Sequence, residues 1–171
     1  MIERAFIDSL NLRSRDFALR WKDLIRKEPQ LKHYNQMADE DLIEADRQFY
    51  PMLARTLDRG LDRSIVGDFF VKLGKERMRE GFPVSEVIYA TSLVQKVVSE
   101  FLINDFALDN PMRMYQSIEA INKISSFILL GSFYLTKGFL EETYTHMNQH
   151  DKVSEELLKK YFKDDFFFKK G

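Results

Sequence analysis

The chain contains no cysteine, only four prolines and seven glycines, and a single tryptophan among its 171 residues. Without cysteine it has no disulfide, no thiolate nucleophile and no thiolate metal ligand, which is consistent with a reducing cytoplasm. Few prolines and glycines leave few positions at which a helix must end. Basic and acidic side chains nearly balance, 26 against 27. Neither nucleic acid nor an anionic membrane is therefore indicated as a partner.

Long apolar runs are also missing. The most apolar stretch, residues 124–136, lies between Lys123 and Lys137 and is shorter than the ~20 residues that a membrane-spanning helix needs. The N-terminal residues are charged from Glu3 onward and lack the apolar core of a signal peptide. We therefore expect a cytoplasmic protein without an integral membrane segment.

Apolar spacing predicts helices throughout the chain. Apolar residues make up 44% of the sequence, and fifteen of them are phenylalanine, which suits a bulky aromatic core. Proline, glycine and asparagine punctuate a series of apolar patterns with helical spacing. The sequence predicts an all-α fold, a single helical bundle with a long C-terminal helix. Its helices are expected at residues 2–26, 40–59 with a break near Pro51, 63–80, 83–102 and from 111 onward.

The last of these helices carries a heptad pattern. Apolar and small residues recur from Met114 at alternating intervals of four and three, which is typical of a helix that packs along a second helix. The pattern predicts a homodimer interface formed by Ile118, Ile121, Ser125, Ile128, Ser132, Leu135 and Phe139. Gly131 and Gly138 lie on a neighbouring row and would allow another close helix contact.

The segment LGKERMREGFPVSEVIYATS, residues 73–92, joins two predicted helices at a tight turn. Gly81 suits a left-handed helix cap and Pro83 suits a first helical turn. The end of one helix and the start of the next explain every residue type there, so a structural role is favoured. The alternative is a signal or partner surface around Arg77, Gly81 and Pro83.

This segment resembles the N-terminal helical domain of bacterial stressosome co-antagonists (RsbRD-type) and of related sensor histidine kinases. There a helix with an LG…R…G pattern is followed by a Pro-containing turn, Ser-Glu and an apolar helix. The resemblance covers roughly residues 1–145 and implies a cytoplasmic signalling module. It also implies that a globin-like fold is a possibility. Haem is not expected, because no histidine lies between His33 and His146.

The C-terminal residues form a second predicted part of the chain. We expect a sensor or regulatory domain over residues 1–145, and a polar helical extension with a Phe-rich tail over 146–171. In the family this helix commonly leads to an output domain, whereas here it leads to Phe166, Phe167 and Phe168. These three side chains are a candidate partner-docking tail; folding back onto the bundle and contact with a membrane surface are the alternatives.

Catalytic and metal chemistry is not indicated. His146 and His150 are four residues apart on a predicted helix, and Glu142 or Asp151 could supply a third ligand, but the motif lacks the glutamate of zinc peptidases. We expect two exposed histidines, with no metal and no cofactor. No nucleotide loop or nucleophile motif is present in the sequence.

The sequence therefore predicts a non-catalytic bacterial signalling module that acts by homodimerisation and by binding an unidentified signalling protein. It would be a stand-alone version of a sensor domain without its output domain. The alternative is a small-molecule-binding helical protein with an apolar, Phe-rich pocket.

Overall fold

The computed structural model describes residues 4–106 and 110–150, and all regular structure in those ranges is helical. The prediction of an all-α protein with a long C-terminal helix is confirmed, since the last helix has 40 residues. The described elements are α1 (Arg4–Leu12), α2 (Ser14–Lys27), α3 (Lys32–Gln36), α4 (Asp39–Arg47), α5 (Phe49–Arg59), α6 (Arg63–Arg79), α7 (Val84–Phe101), a π-helical turn (Leu102–Phe106) and α8 (Pro111–His150).

Two compact units divide the chain. The first consists of Met1–Asp62 and Tyr89–Leu129, and the second consists of Arg63–Ile88 and Leu130–Gly171. Helices α7 and α8 each contribute to both. Helix α8 continues through the expected boundary at residues 145 and 146, so the division into a sensor domain and an extension stays a prediction.

Aromatic side chains fill the core of the first unit. Phe17 stacks on Tyr50 and meets the edge of Phe101, with ring centroids 5.1 Å apart in both pairs. Phe6 also stacks on Phe101, with ring centroids 6.1 Å apart. All four side chains are buried, which explains in part why the sequence is rich in phenylalanine.

The single N-terminal helix predicted over residues 2–26 is wrong, because the chain bends at Arg13 between α1 and α2. Phe6, Leu10 and Phe17 keep helical spacing across the bend, so the apolar pattern does not reveal it. The two helices pack on different neighbours, α1 on α5 and α2 on α4. Each half of the predicted helix is therefore held by a different neighbour.

The short helix α3 lies between the first two predicted helices, and Asn35 holds it to the end of α2. Its side-chain amide donates to the carbonyls of Glu28 and Leu31, at 2.9 Å each. Asp39 is not the N-cap that its position favours, since it is the first residue of α4 and Ala38 precedes it as the cap. Its carboxylate accepts two hydrogen bonds from Arg26, at 3.0 and 2.7 Å.

Helix α4 ends and α5 begins around Gln48. This break is the one predicted from Pro51, because proline has no N–H to continue the hydrogen-bond ladder. Gly60 then ends α5 with a φ of 89°, as expected for a residue in a left-handed conformation.

The second unit packs α6 against α8 through glycines. A Cβ atom added at Gly74 would lie 2.1 Å from the carbonyl oxygen of Leu135, and one at Gly138 would lie 2.2 Å from that of Val71. The two backbones therefore touch directly. On α6, Phe70 and Leu73 are buried together with the glycine row, while Ile65, Phe69 and Met78 are half-buried.

Candidate protein-interaction surface

Helix α8 carries most of the large apolar side chains that remain exposed. Six of the ten in the described residues lie on it, in both units: Met112, Met114, Tyr115, Ile118, Leu129 and Phe133. The other four are spread over the rest of the described chain. Exposed apolar side chains gathered on one element are typical of an interaction site, whereas scattered ones are ordinary.

Part of this exposure forms a continuous face in the first unit. Tyr115, Ile118, Asn122, Ser126 and Leu129 are spaced by three, four, four and three residues and are all exposed. We call these five residues the α8 stripe. The exposed fractions are 67% for Tyr115, 53% for Ile118 and 73% for Leu129. Residues at these intervals share one side of a helix, so the stripe is a ridge that another helix could pack along.

A groove of about 460 Å³ lies beside the α8 stripe in the same unit. The end of α5 forms one wall through Thr56, Gly60 and Leu61, and α8 forms the other. Asn122 and Ser126 belong both to the groove and to the stripe. The stripe and the groove thus adjoin on one surface at two polar residues, and Leu61 is itself 38% exposed.

The charges beside the groove neutralise each other. Lys123 and Glu119, one helical turn apart, form an ion pair of 2.9 Å, and both residues line the groove. The hydrogen bond from Lys123 lowers the pKa of Glu119 below its ordinary value. Glu119 is therefore ionised at neutral pH, and the pair adds no net charge to the surface.

The predicted heptad positions divide between core and surface. Ile118 is exposed, but Ile128 and Leu135 are 3% and 0% exposed. Those two positions are wrong as interface residues, because the rest of the chain already covers them. Ser125 accepts a hydrogen bond of 2.8 Å from Gln95 within the first unit. The partly exposed heptad positions are Ile121, Ser125, Ser132 and Phe139.

The turn between α6 and α7 has the helix-ending geometry expected from sequence. Gly81 has a φ of 82°, its amide bonds to Met78, and the amide of Phe82 bonds to Arg77, at 3.0 Å each. This pair of bonds is a Schellman motif. Pro83 directly precedes α7, and its carbonyl accepts the amides of Glu86 and Val87, at 3.1 and 3.2 Å.

Arg77 is built into the second unit at this turn. Its side chain is largely buried, lies over the ring of Phe82 at 5.1 Å and donates to Glu80. The neighbouring Arg79 pairs with Glu142 through two hydrogen bonds of 2.8 and 3.1 Å. These contacts support the structural reading of the turn, and a signal surface there stays a prediction.

Of the two C-terminal histidines, His146 is exposed, and the side chain of His150 lies outside the described residues. Within residues 4–106 and 110–150, no three His, Asp or Glu side chains are grouped so that they could hold a metal ion. Phe166, Phe167 and Phe168 also lie outside the described residues.

A buried carboxyl group was missed by the sequence analysis. Asp46 is 1% exposed, and the hydroxyl of Tyr50, four residues on, donates to its Oδ2. No donor for its Oδ1 is found in the part of the chain that the structure describes. Burial raises the pKa of Asp46 well above its usual range and also raises that of Tyr50. The signal in the sequence is an aspartate on the apolar side of a helix, next to Leu42 and Ile43 in the pattern.

Comparison with protein-family models, with curated proteins and with solved structures found no match to this chain. One described helix, α8, is long and apolar enough over Pro111–Gln149 to cross a membrane, with a mean hydropathy of 1.2 in its most apolar window. Core helices of soluble proteins meet the same criterion, so the finding is weak evidence.

Proposed function

We propose that this chain is a non-catalytic regulatory module that pairs with a second copy of itself through the α8 stripe. The observation that carries the proposal is the face of α8 on which Tyr115, Ile118 and Leu129 are exposed, with the polar Asn122 and Ser126 between Ile118 and Leu129. Leaving such side chains in water is unfavourable by roughly 25 cal/mol for each Å² of apolar surface that a partner would bury.

A second copy fits this surface because ridge and groove adjoin on it. In a two-fold symmetric pair the same surface contributes to both sides of the interface. In such a pair the stripe of one copy would pack along the stripe of the other, with the groove beside Leu61 at the edge of the interface. The ion pair of Glu119 and Lys123 is neutral as a unit, and the chain carries a net charge of only -1. Two copies therefore repel each other little.

A membrane is a poorer partner for α8. Between Lys123 and Lys137 the helix has 13 uncharged residues, which extend about 20 Å against a hydrocarbon core of ~30 Å. Within this run Ile124, Phe127 and Leu135 are already buried in the chain. Further along the helix, Glu141 is paired with Lys75. A membrane-spanning arrangement would have to undo these contacts.

Bacterial signal transduction is the biological setting that we propose. Its support is the resemblance of residues 73–92 to the N-terminal domains of stressosome co-antagonists. In this setting the module is cytoplasmic and acts on an unidentified signalling protein. A stimulus would change how two α8 helices pack, and the change would pass along α8 toward its C-terminal end.

The first experiment is the molar mass of the full chain in solution, measured by light scattering from about 1 to 100 µM, the range in which modest interfaces assemble. We expect twice the mass of one chain. The variant Ile118→Glu/Leu129→Glu places two charges in the stripe and is expected to be monomeric, because burying unpaired carboxylates is unfavourable.

The matched control is Leu12→Glu, which changes another exposed leucine, 86% exposed, on α1. It is expected to remain dimeric, and circular dichroism should show the same helix content for all three proteins. A wild-type chain that is monomeric over the whole range would refute the proposal. A stripe variant that dimerises as well as Leu12→Glu would place the interface elsewhere.

A further inference from the structure

A second groove of the first unit lies between α1 and α5 and is rimmed by arginines. Its volume is about 350 Å³, within the range of small-molecule sites, roughly 300–1,000 Å³. Arg4 lies on the α1 side, and Arg55 and Arg59 lie on the α5 side, one helical turn apart. Exposed Pro51 and buried Ile7 and Ala54 form the apolar part of the lining. We call this the arginine groove.

The groove has one lining carboxylate, Asp58, against three guanidinium groups. Arg4 is engaged by Asp58 at 2.9 Å and by Asp8 at 3.1 Å. Neither Arg55 nor Arg59 has an ion-pair partner in residues 4–106 and 110–150. Two exposed positive charges therefore remain in a concave site on a chain whose net charge is -1.

Helix stability alone does not account for both arginines. Arg59 lies in the last turn of α5, where a positive charge is favoured by the helix dipole. Arg55 lies one turn earlier and repels Arg59, since like charges four residues apart on a helix oppose each other. A bound anion would remove this repulsion. The planar guanidinium group also matches the geometry of carboxylate and phosphate oxygens.

We propose that the arginine groove binds a small organic anion, which presents a carboxylate or phosphate group to Arg55 and Arg59 and rests its apolar part on Pro51 and the edge of Ile7. The inference does not depend on the α8 stripe, because none of these residues belongs to it. A carboxylate ligand and a phosphate ligand differ in chemistry, so a separate probe is used for each.

The test is calorimetric titration of the full chain with citrate and, separately, with pyrophosphate at low ionic strength. We expect the wild type to bind at least one of them. Arg55→Gln/Arg59→Gln should weaken that binding by about tenfold or more, because both charge-assisted contacts are lost. Arg55→Lys/Arg59→Lys keeps the charge but not the planar guanidinium group, so its affinity should lie between that of the wild type and that of the glutamine variant.

The control Lys27→Gln/Lys32→Gln removes two exposed positive charges elsewhere in the same unit and should change the affinity by less than about twofold, through the general field alone. Binding of citrate alone would identify a carboxylate ligand, and binding of pyrophosphate alone a phosphate. A wild type that binds neither overturns the proposal. So does an arginine variant that binds as tightly as the lysine control.

Discussion

At the scale of single residues, buried Asp46 should make the first unit less stable as the pH rises. Its folded-state pKa is raised by burial, so the folded protein holds this proton more tightly than the unfolded chain does. The contribution of Asp46 is complete below the ordinary aspartate pKa, about 3.9, and is lost as the pH rises through the folded-state pKa. The free energy of unfolding of Asp46→Asn relative to wild type should therefore increase with pH.

Urea unfolding at a series of pH values from acid to neutral measures this difference. Asp39, Glu40 and Glu142 have lowered pKa values, mainly through hydrogen bonds from arginines, and they act in the opposite direction, at acid pH. They are present in both proteins, so they cancel in the comparison. Asp41→Asn, an exposed change on α4, controls for the loss of one carboxylate. A constant difference between Asp46→Asn and wild type would contradict the prediction.

The residues missed by sequence reasoning share a physical cause. Nothing in the residue type of Asp46 marks it as buried, and only the folded chain shows that it is 1% exposed with Tyr50 as its hydrogen-bond donor. The arginine groove arises where α1 meets α5, and Arg4 is more than fifty positions before Arg59. Gly81 and Pro83, by contrast, act on their own chain neighbours, so their roles could be predicted from sequence.

At the scale of helices, the contact of α6 with α8 should depend on two glycines. A methyl group at Gly74 or Gly138 would overlap a backbone carbonyl oxygen of the facing helix, and backbone cannot rotate aside as a side chain can. We expect Gly74→Ala and Gly138→Ala each to destabilise the protein by about 1–3 kcal/mol or more. This cost exceeds the ~1 kcal/mol that alanine gains over glycine in a helix.

Gly67→Ala is the matched control on α6. A Cβ atom there would lie 3.3 Å from the ring of Tyr134, and a side-chain ring can shift by a few tenths of an ångström. Its thermal unfolding should stay close to that of wild type, while the other two variants unfold at lower temperature. Unfolding temperatures of Gly74→Ala and Gly138→Ala equal to that of Gly67→Ala would contradict the prediction.

The heptad pattern of α8 shows what helical spacing can and cannot predict. Intervals of three and four identify residues on one side of a helix, and this can be predicted from the sequence of α8 alone. Helix α8 is apolar on several sides, however, so more than one stripe fits the pattern. Which side becomes core depends on other helices, which bury Ile128 and Leu135 and leave Ile118 and Leu129 exposed.

At the scale of the whole molecule, the proposed mechanism requires two copies with parallel α8 helices. Only then do both C-terminal ends leave the interface in the same direction, so that one change in packing reaches both. Because the chain has no cysteine, single cysteines at Tyr115, Asn122 and Leu129 report the orientation directly. A disulfide needs Cα atoms about 4.4–6.8 Å apart.

In a parallel pair each position faces its own counterpart, so all three single-cysteine variants should form disulfide-linked dimers under mild oxidation. In an antiparallel pair centred on Asn122, residue 115 of one copy faces residue 129 of the other, because both are seven positions from the centre. Only the Asn122→Cys variant would then link to itself, and a mixture of Tyr115→Cys with Leu129→Cys would link to each other. That second outcome would leave the dimer intact but would exclude transmission along two parallel helices, since the C-terminal ends would point in opposite directions.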